Sequence, residues 1–125
     1  MIARRTVASL CALGLGLALA FAPPAAAQKV LPGVVGEMRA TQLPPEARAT
    51  LALIHKGGPF PYARDGAVFA NREGALPFQR RGYYHEYTVK TPHLRTRGAR
   101  RIIAGSDGDV WYTEDHYNHY WRILE

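Results

Sequence analysis

The sequence predicts an α+β fold, with one N-terminal α-helix packed on an antiparallel β-sheet. Two observations carry this. One run, Pro45 to His55, repeats its apolar residues at helical spacing. After it come short stretches rich in aromatic and β-branched residues, separated by turn-forming residues such as Ser106-Asp107-Gly108. The sequence carries no internal repeat and no second domain.

The chain begins with Arg4 and Arg5 and an almost wholly apolar stretch from Val7 to Phe21. Pro23 and Pro24 break it, and Ala25-Ala26-Ala27 supplies a small-residue cleavage signal before Gln28. The apolar run falls short of the roughly 20 residues a spanning helix needs. Residues 1–27 are therefore expected to be a signal peptide, giving a secreted, extracellular product with no membrane attachment after removal. Arg4-Arg5 fits either the general or the twin-arginine route. Cleavage removes Cys11, the only cysteine, and Leu10 before it argues against a lipid anchor. The remaining part of the 125-residue chain is one small domain with no internal disulfide, so its core must hold the fold.

Residues 28–42 contain Pro32, Gly33 and Gly36 and read as a flexible leader, with one short strand near Val34-Val35. The domain proper spans 43–125. Leu43-Pro44-Pro45-Glu46 starts the helix, since proline suits the first turn and Glu46 complements the dipole. Ala47, Leu51 and Ile54 face the core, Arg48 and Lys56 face outward, and Gly57-Gly58 ends the run. The next stretch, Gly58 to Gly66, has turn chemistry around Pro59, Pro61 and Arg64-Asp65-Gly66. Ala67–Phe69 reads as a short strand and Ala70–Gly74 as an exposed loop. Further strands are expected at Tyr83–Val89, Arg100–Ala104, Val110–Thr113 and Tyr117–Ile123.

Strand alternation sorts the polar residues. Tyr84, Glu86 and Thr88 point one way, and Tyr83, His85, Tyr87 and Val89 the other. Glu86 and Arg101 are expected to share the sheet face away from the helix. The 16 Lys+Arg residues against 10 Asp+Glu give a net charge of +6, which falls by two when Arg4 and Arg5 leave. A basic exported domain fits a polyanionic partner, although charge alone fits simple solubility equally well. A carboxylate at Glu86, the arginines clustered between Arg95 and Arg101 and an imidazole at His116 together form a set able to cleave RNA without a metal. The carboxylate takes the 2′-hydroxyl proton, the arginines hold the phosphate, and the imidazole protonates the leaving oxygen.

The ordered strings Leu43-Pro44-Pro45-Glu46-Ala47, Gly58-Pro59-Phe60-Pro61-Tyr62, Val68-Phe69-Ala70-Asn71-Arg72-Glu73, Tyr83-Tyr84-His85-Glu86-Tyr87-Thr88-Val89, Arg95-Thr96-Arg97-Gly98 and Asp115-His116-Tyr117 resemble the bacterial guanyl-preferring ribonucleases. These belong to the microbial ribonuclease (barnase/RNase Sa-like) family. The resemblance runs from Leu43 to Ile123, and it implies the microbial ribonuclease fold. It makes Glu86 the general base, His116 the general acid, Arg97 and Arg101 phosphate-binding arginines and Tyr117 a phosphate-contacting tyrosine. It places Asn71, Arg72 and Glu73 in a guanine-recognition loop, where backbone amides address O6 and the Glu73 carboxylate accepts from N1 and N2. Phe69 is then the aromatic residue packed on the base. The reaction so implied is cleavage of single-stranded RNA 3′ to guanosine through a 2′,3′-cyclic phosphate, with no cofactor and no metal. RNA qualifies because only it carries the 2′-hydroxyl nucleophile.

Two departures from the family stand out. Ala70 occupies a position where a relative has glutamine, so one side-chain contact in the guanine loop is missing. Arg39 falls where the nearest relatives have the first cysteine of a disulfide, and the sequence stops at Glu125 before the second. Loss of such a bridge costs ~2–5 kcal/mol; Trp121, alternating with Ile123 on an apolar face, is expected to supply some of the packing instead. Taken singly and without the resemblance, Glu86 reads better as an exposed strand residue facing an arginine, His116 as a loop histidine with no task, and the arginines as a solvated basic sheet edge. His85 points to the opposite face from Glu86, His55 suits the helix C-terminus, and His93 and His119 have no partner at telling spacing. A zinc site from His116 and His119 is rejected for want of cysteines or a helix to align the two. Expected partners are single-stranded RNA and an acidic inhibitor of the barstar type, with the protein itself a monomer. The competing readings are a non-catalytic RNA- or inhibitor-binding member of the fold and a ribonuclease toxin directed at competing cells.

Overall fold

The computed structural model describes residues 33–125, together with the isolated Gly14 and Gly16. The expected signal peptide, 1–27, and the first residues of the leader otherwise lie outside the described residues. The elements in chain order are β1 (Val34–Arg39), a 3-10 turn (Ala40–Gln42), α1 (Pro45–Lys56), β2 (Ala67–Phe69), β3 (Tyr84–Thr88), β4 (Arg101–Gly105), β5 (Val110–Thr113) and β6 (Tyr120–Leu124). The strands form one six-stranded sheet in the order β1-β6-β5-β4-β3-β2. No helix among the described residues is long and apolar enough to cross a membrane.

The α+β class holds, with one refinement. The sheet is antiparallel from β2 to β6, but β1 adds to β6 in parallel. The short strand expected at Val34-Val35 thus continues to Arg39, so these residues of the 28–42 segment are sheet. Alternation in β1 is half-exposed throughout, as suits an edge strand. Its partner lies at the far end of the chain, which no local pattern reveals.

Helix α1 has Pro45 at its first position and Glu46 in its first turn. It ends at Gly57, whose left-handed φ of 87° lets its N–H reach the Leu53 carbonyl at 2.8 Å. Ala47 and Leu51 bury against Val89, Ile102, Val110, Tyr112 and Ile123 of the sheet, forming the first core. Ile54 and Trp121 pack on its margin. The Thr50 hydroxyl donates to the Thr88 carbonyl at 3.2 Å and ties the helix to β3.

The opposite sheet face carries a second core. Tyr84, Ile103, Trp111 and Tyr120 meet Ala75 and Leu76 from the loop after β2, with Tyr83 alongside. Successive residues of β4 and β5 therefore serve opposite cores: Ile102 and Tyr112 face the helix, Ile103 and Trp111 face away. Glu86 pairs with Ile103 and Thr88 with Arg101, so both polar residues lie on the second face, as alternation predicts. At the β4–β5 turn, Asp109 accepts hydrogen bonds from the Tyr83 hydroxyl (2.6 Å) and the Trp111 indole (3.1 Å).

Strand β6 begins three residues later than the sequence suggests. Residues 115–119 instead wind around the Asp115 side chain. Its carboxylate accepts from the Thr113 hydroxyl (3.1 Å), the His119 backbone N–H (2.9 Å) and His119 Nδ1 (2.5 Å). His116 and Tyr117 consequently take left-handed φ values of 53° and 74°, incompatible with an extended strand.

Candidate active site

The second sheet face opens into a cleft of about 360 Å³ whose walls include Phe69, Asn71, Glu73, Glu86 and Tyr117. At its floor Glu86 is 8% exposed, an unusual position for a carboxylate unless it is partnered. Three groups partner it. The Tyr117 hydroxyl donates to Oε2 at 2.9 Å, Arg97 Nη2 stands 3.5 Å from Oε1, and Arg64 Nε stands 3.6 Å from the same oxygen. Burial pushes the Tyr117 phenol up to about 12; the hydrogen bond to Glu86 adds to the rise and the Arg101 cation opposes it. Tyr117 is thus a neutral donor at any working pH.

The arginines are themselves positioned from the backbone. Arg97 donates from Nε (3.0 Å) and Nη2 (2.9 Å) to the Thr88 hydroxyl, the next residue after Glu86 on the same face of β3. Arg101 is 3% exposed and donates from Nη1 to the carbonyls of Gly98 (2.9 Å) and Arg100 (2.8 Å). Its Nε is buried and makes no hydrogen bond among the described residues. Glu86 and Arg101 share a face but not a rung of the ladder, and the ion pairs to Glu86 come from Arg97 and Arg64.

Arg64 is the site residue that sequence reasoning missed; its segment reads only as a turn. The neighbouring Asp65 explains its placement. The Asp65 carboxylate accepts from the Thr88 N–H at 2.7 Å and the Tyr62 N–H at 3.2 Å, and the Gly66 N–H donates to the Glu86 carbonyl at 2.8 Å. The turn is thereby laced to β3, and the Arg64 side chain lies over Glu86. The readable signal was an aspartate and glycine immediately before a strand that pairs with the glutamate's own.

Phe69 ends β2, and its ring stacks on Tyr117 with centroids 5.2 Å apart and planes at 24°. Tyr84 and Tyr120 complete an aromatic wall around it. The following loop is closed by Asn71, whose amide donates to the Leu76 carbonyl (2.9 Å) and whose oxygen accepts from the Leu76 N–H (3.1 Å). Asn71 itself has a φ of 50°. Its side chain is thus spent on shaping the loop, leaving Arg72 and Glu73 exposed at the tip and Ala70 on the cleft wall.

His116 lies outside the cleft lining. Its ring is exposed and packs edgewise on Tyr117, with centroids 4.8 Å apart, and its backbone N–H donates to the Ala99 carbonyl at 3.0 Å. The structure therefore gathers Glu86, Tyr117, Arg97, Phe69, Asn71, Arg72 and Glu73 about one cleft. His116 and Arg101 flank its Thr88 end. His85 sits on the other side of β3, as alternation requires.

A small α+β domain with a buried carboxylate among arginines, beside an aromatic-walled cleft, has the makings of an enzyme acting on a phosphodiester. A sequence model of the ribonuclease family matches residues 25–124, and the chain belongs to that family, among its bacterial guanyl-specific members of the RNase Sa/barnase-like group. It is 60% identical over 81 residues to guanyl-specific ribonuclease St of Saccharopolyspora erythraea, covering 65% of this chain and 80% of that protein. It is 59% identical over 85 residues to guanyl-specific ribonuclease Sa of Kitasatospora aureofaciens, covering 67% and 88%. Among solved structures, that of ribonuclease Sa2 with guanosine-2′-cyclophosphate superposes with a TM-score of 0.69 at 48% identity, over 71% of this chain and 95% of the other. The family identity makes RNA the substrate and ribonuclease activity the general function.

Proposed function

We propose that the protein is a secreted, metal-free endoribonuclease that cleaves single-stranded RNA 3′ to guanosine through a 2′,3′-cyclic phosphate. The observation that carries this reading is the buried Glu86, held by one phenol and two guanidiniums at the floor of a cleft. In-line attack by a 2′-hydroxyl requires a base and an acid on opposite sides of one phosphate. Glu86 takes the hydroxyl proton. Tyr117 fixes one carboxylate oxygen, so the other faces the nucleophile.

The phosphate sits between Glu86 and His116, where Arg97, Arg101 and Arg64 offset the charge that builds on its equatorial oxygens. Arg97 and Arg101 are anchored by hydroxyl and carbonyl acceptors, so their charge is in place before substrate arrives. His116 donates its proton to the departing 5′-oxygen. Its exposure supports this role, since the departing 5′-oxygen and, in the hydrolysis step, the attacking water that returns the proton can both reach it. The cyclic phosphate is then hydrolysed with Glu86 and His116 in exchanged roles.

Guanine enters between Phe69 and the 70–74 loop. The Asn71–Leu76 clasp holds that loop rigid, which lets backbone N–H groups address O6 while Glu73 accepts from N1 and N2. Relatives named guanyl-specific support this base preference. The protein acts as a monomer, and an acidic inhibitor of the barstar type is the partner that would protect its producer. Relative cleavage of oligonucleotides with guanosine or adenosine at the scissile position tests the specificity. Glu73→Ala should lower the guanosine preference by roughly tenfold or more. An unchanged preference would move base recognition elsewhere.

A further inference from the structure

We propose that Phe78, Arg80 and Arg81 form a subsite for the nucleotide on the 5′ side of the guanosine, its base stacked on the phenyl ring and its phosphates held by the two arginines. The direction in which the RNA runs rests on the function proposed above; the surface itself does not.

Phe78 is 95% exposed, far more than any other large apolar residue among those described. A solvated phenyl ring gains nothing for the fold, and a lone exposed aromatic beside a pair of cations is the composition of a single-strand binding surface. Arg80 and Arg81 are both exposed, and neither has a carboxylate within ion-pair distance among the described residues. The segment is held at both ends. Leu76 is buried and clasped by Asn71, the Pro77 carbonyl accepts from the Tyr84 hydroxyl at 2.6 Å, and the Arg80 carbonyl accepts from the Tyr83 N–H at 3.1 Å.

Strand register supplies the direction. Ala67 pairs with Glu86 and Phe69 with Tyr84, so the chain leaving β2 travels from the Glu86 position toward the Tyr84 end of β3. Arg97, Arg101 and the His116 backbone lie toward the opposite, Thr88 end. A guanosine whose 3′-phosphate lies at the Thr88 end and whose base enters the 70–74 loop directs its 5′-phosphate toward Pro77 and Phe78. Ala75 lines the cleft, and Phe78 lies three residues on, a span of at most about 11 Å. That is within reach of the next nucleotide.

The test measures kcat/KM on two oligoribonucleotides with the same guanosine and the same 3′ portion. One begins at the guanosine and the other carries two additional 5′ adenosines. The wild-type protein should gain about tenfold from the extension, mainly through KM, and the gain should shrink as salt rises. Phe78→Ala and the double variant Arg80→Ala/Arg81→Ala should lose most of that gain while cleaving the short substrate at the wild-type rate. Equal wild-type rates on both substrates, or variants impaired equally on both, would overturn the subsite and leave the ribonuclease reading intact. A wild-type protein that cleaves neither would overturn both.

Discussion

Glu86 combines two properties that rarely occur together, near-complete burial and a full set of cationic and hydrogen-bonding partners. Removing its charge while keeping its shape is the sharpest residue-scale test. Glu86→Gln should reduce kcat/KM by at least about 10²-fold, the range general-base catalysis supplies, and His116→Ala should do the same. The wild-type pH profile should be bell-shaped, reporting one base and one acid; a glutamine variant of near-full activity would remove Glu86 from that role. Tyr117→Phe deletes only the hydrogen bond to Oε2 and the Phe69 stacking remains, so a loss of roughly tenfold in kcat is expected. Glu86 was legible because alternation in an aromatic-rich strand separates it from His85. Arg64 was not, because its position depends on Asp65 reaching the Thr88 N–H, a contact 23 residues apart. Arg101 was half legible: alternation names the face of a strand, but the rung on which an arginine finds its partner is a matter of register.

At the scale of elements, the 115–119 turn does the most to organise the site, since it sets both His116 and Tyr117. Asp115 governs it. Burial pushes the Asp115 carboxyl up, but hydrogen bonds from His119 and Thr113 outweigh this and hold it below its usual 3.8. A carboxyl depressed in the folded state contributes stability that is present above 3.8 and lost as pH falls through the folded value. Asp115→Asn should therefore lower stability and kcat together at neutral pH, and urea unfolding of the two proteins should converge in acid. A stability difference that persists unchanged at low pH would mean the carboxylate is not what holds the turn. The sequence misread this segment as strand because Tyr117 and Tyr120 suit a strand by type, while the Asp115 turn is a side-chain effect that periodicity does not register. Strand β1 was seen only in part for a different reason. Its length is set by parallel pairing with β6, and that partner is at the other end of the chain.

Across the whole molecule, the two cores depend on buried phenols. Burial is the leading cause that pushes Tyr84, Tyr112 and Tyr117 up to about 12 and Tyr120 higher still. The sign follows directly: the stability these neutral phenols contribute is complete below their ordinary value of 10.0 and is lost as pH rises through the folded values. Thermal unfolding should therefore show a stability plateau that declines steeply above about pH 10, with phenolate absorbance appearing together with unfolding. Phenolate formed at Tyr84, Tyr112 and Tyr120 well before unfolding would contradict their burial in the cores. With no cysteine in the domain, the last strand is held by packing instead. Trp121 lies on the helix-side core, Ile123 is buried in it, and the neighbouring Glu125 contacts His55 of α1. The helix, its core-facing residues and the positions of most strands were legible because each rests on local periodicity. The second core was less so, because Ala75 and Leu76 reach it from a loop that reads as polar.

Metal-free cyclising cleavage after guanosine, proposed for the Glu86 cleft, is open to one direct measurement. The protein lacking residues 1–27 is incubated, in excess EDTA, with an oligoribonucleotide containing a single guanosine, and the products are weighed by mass spectrometry. One cut is expected, with a 2′,3′-cyclic phosphate on the guanosine and a free 5′-hydroxyl on the other fragment. Intact RNA, activity that requires an added divalent ion, or cuts spread over the other bases would contradict it.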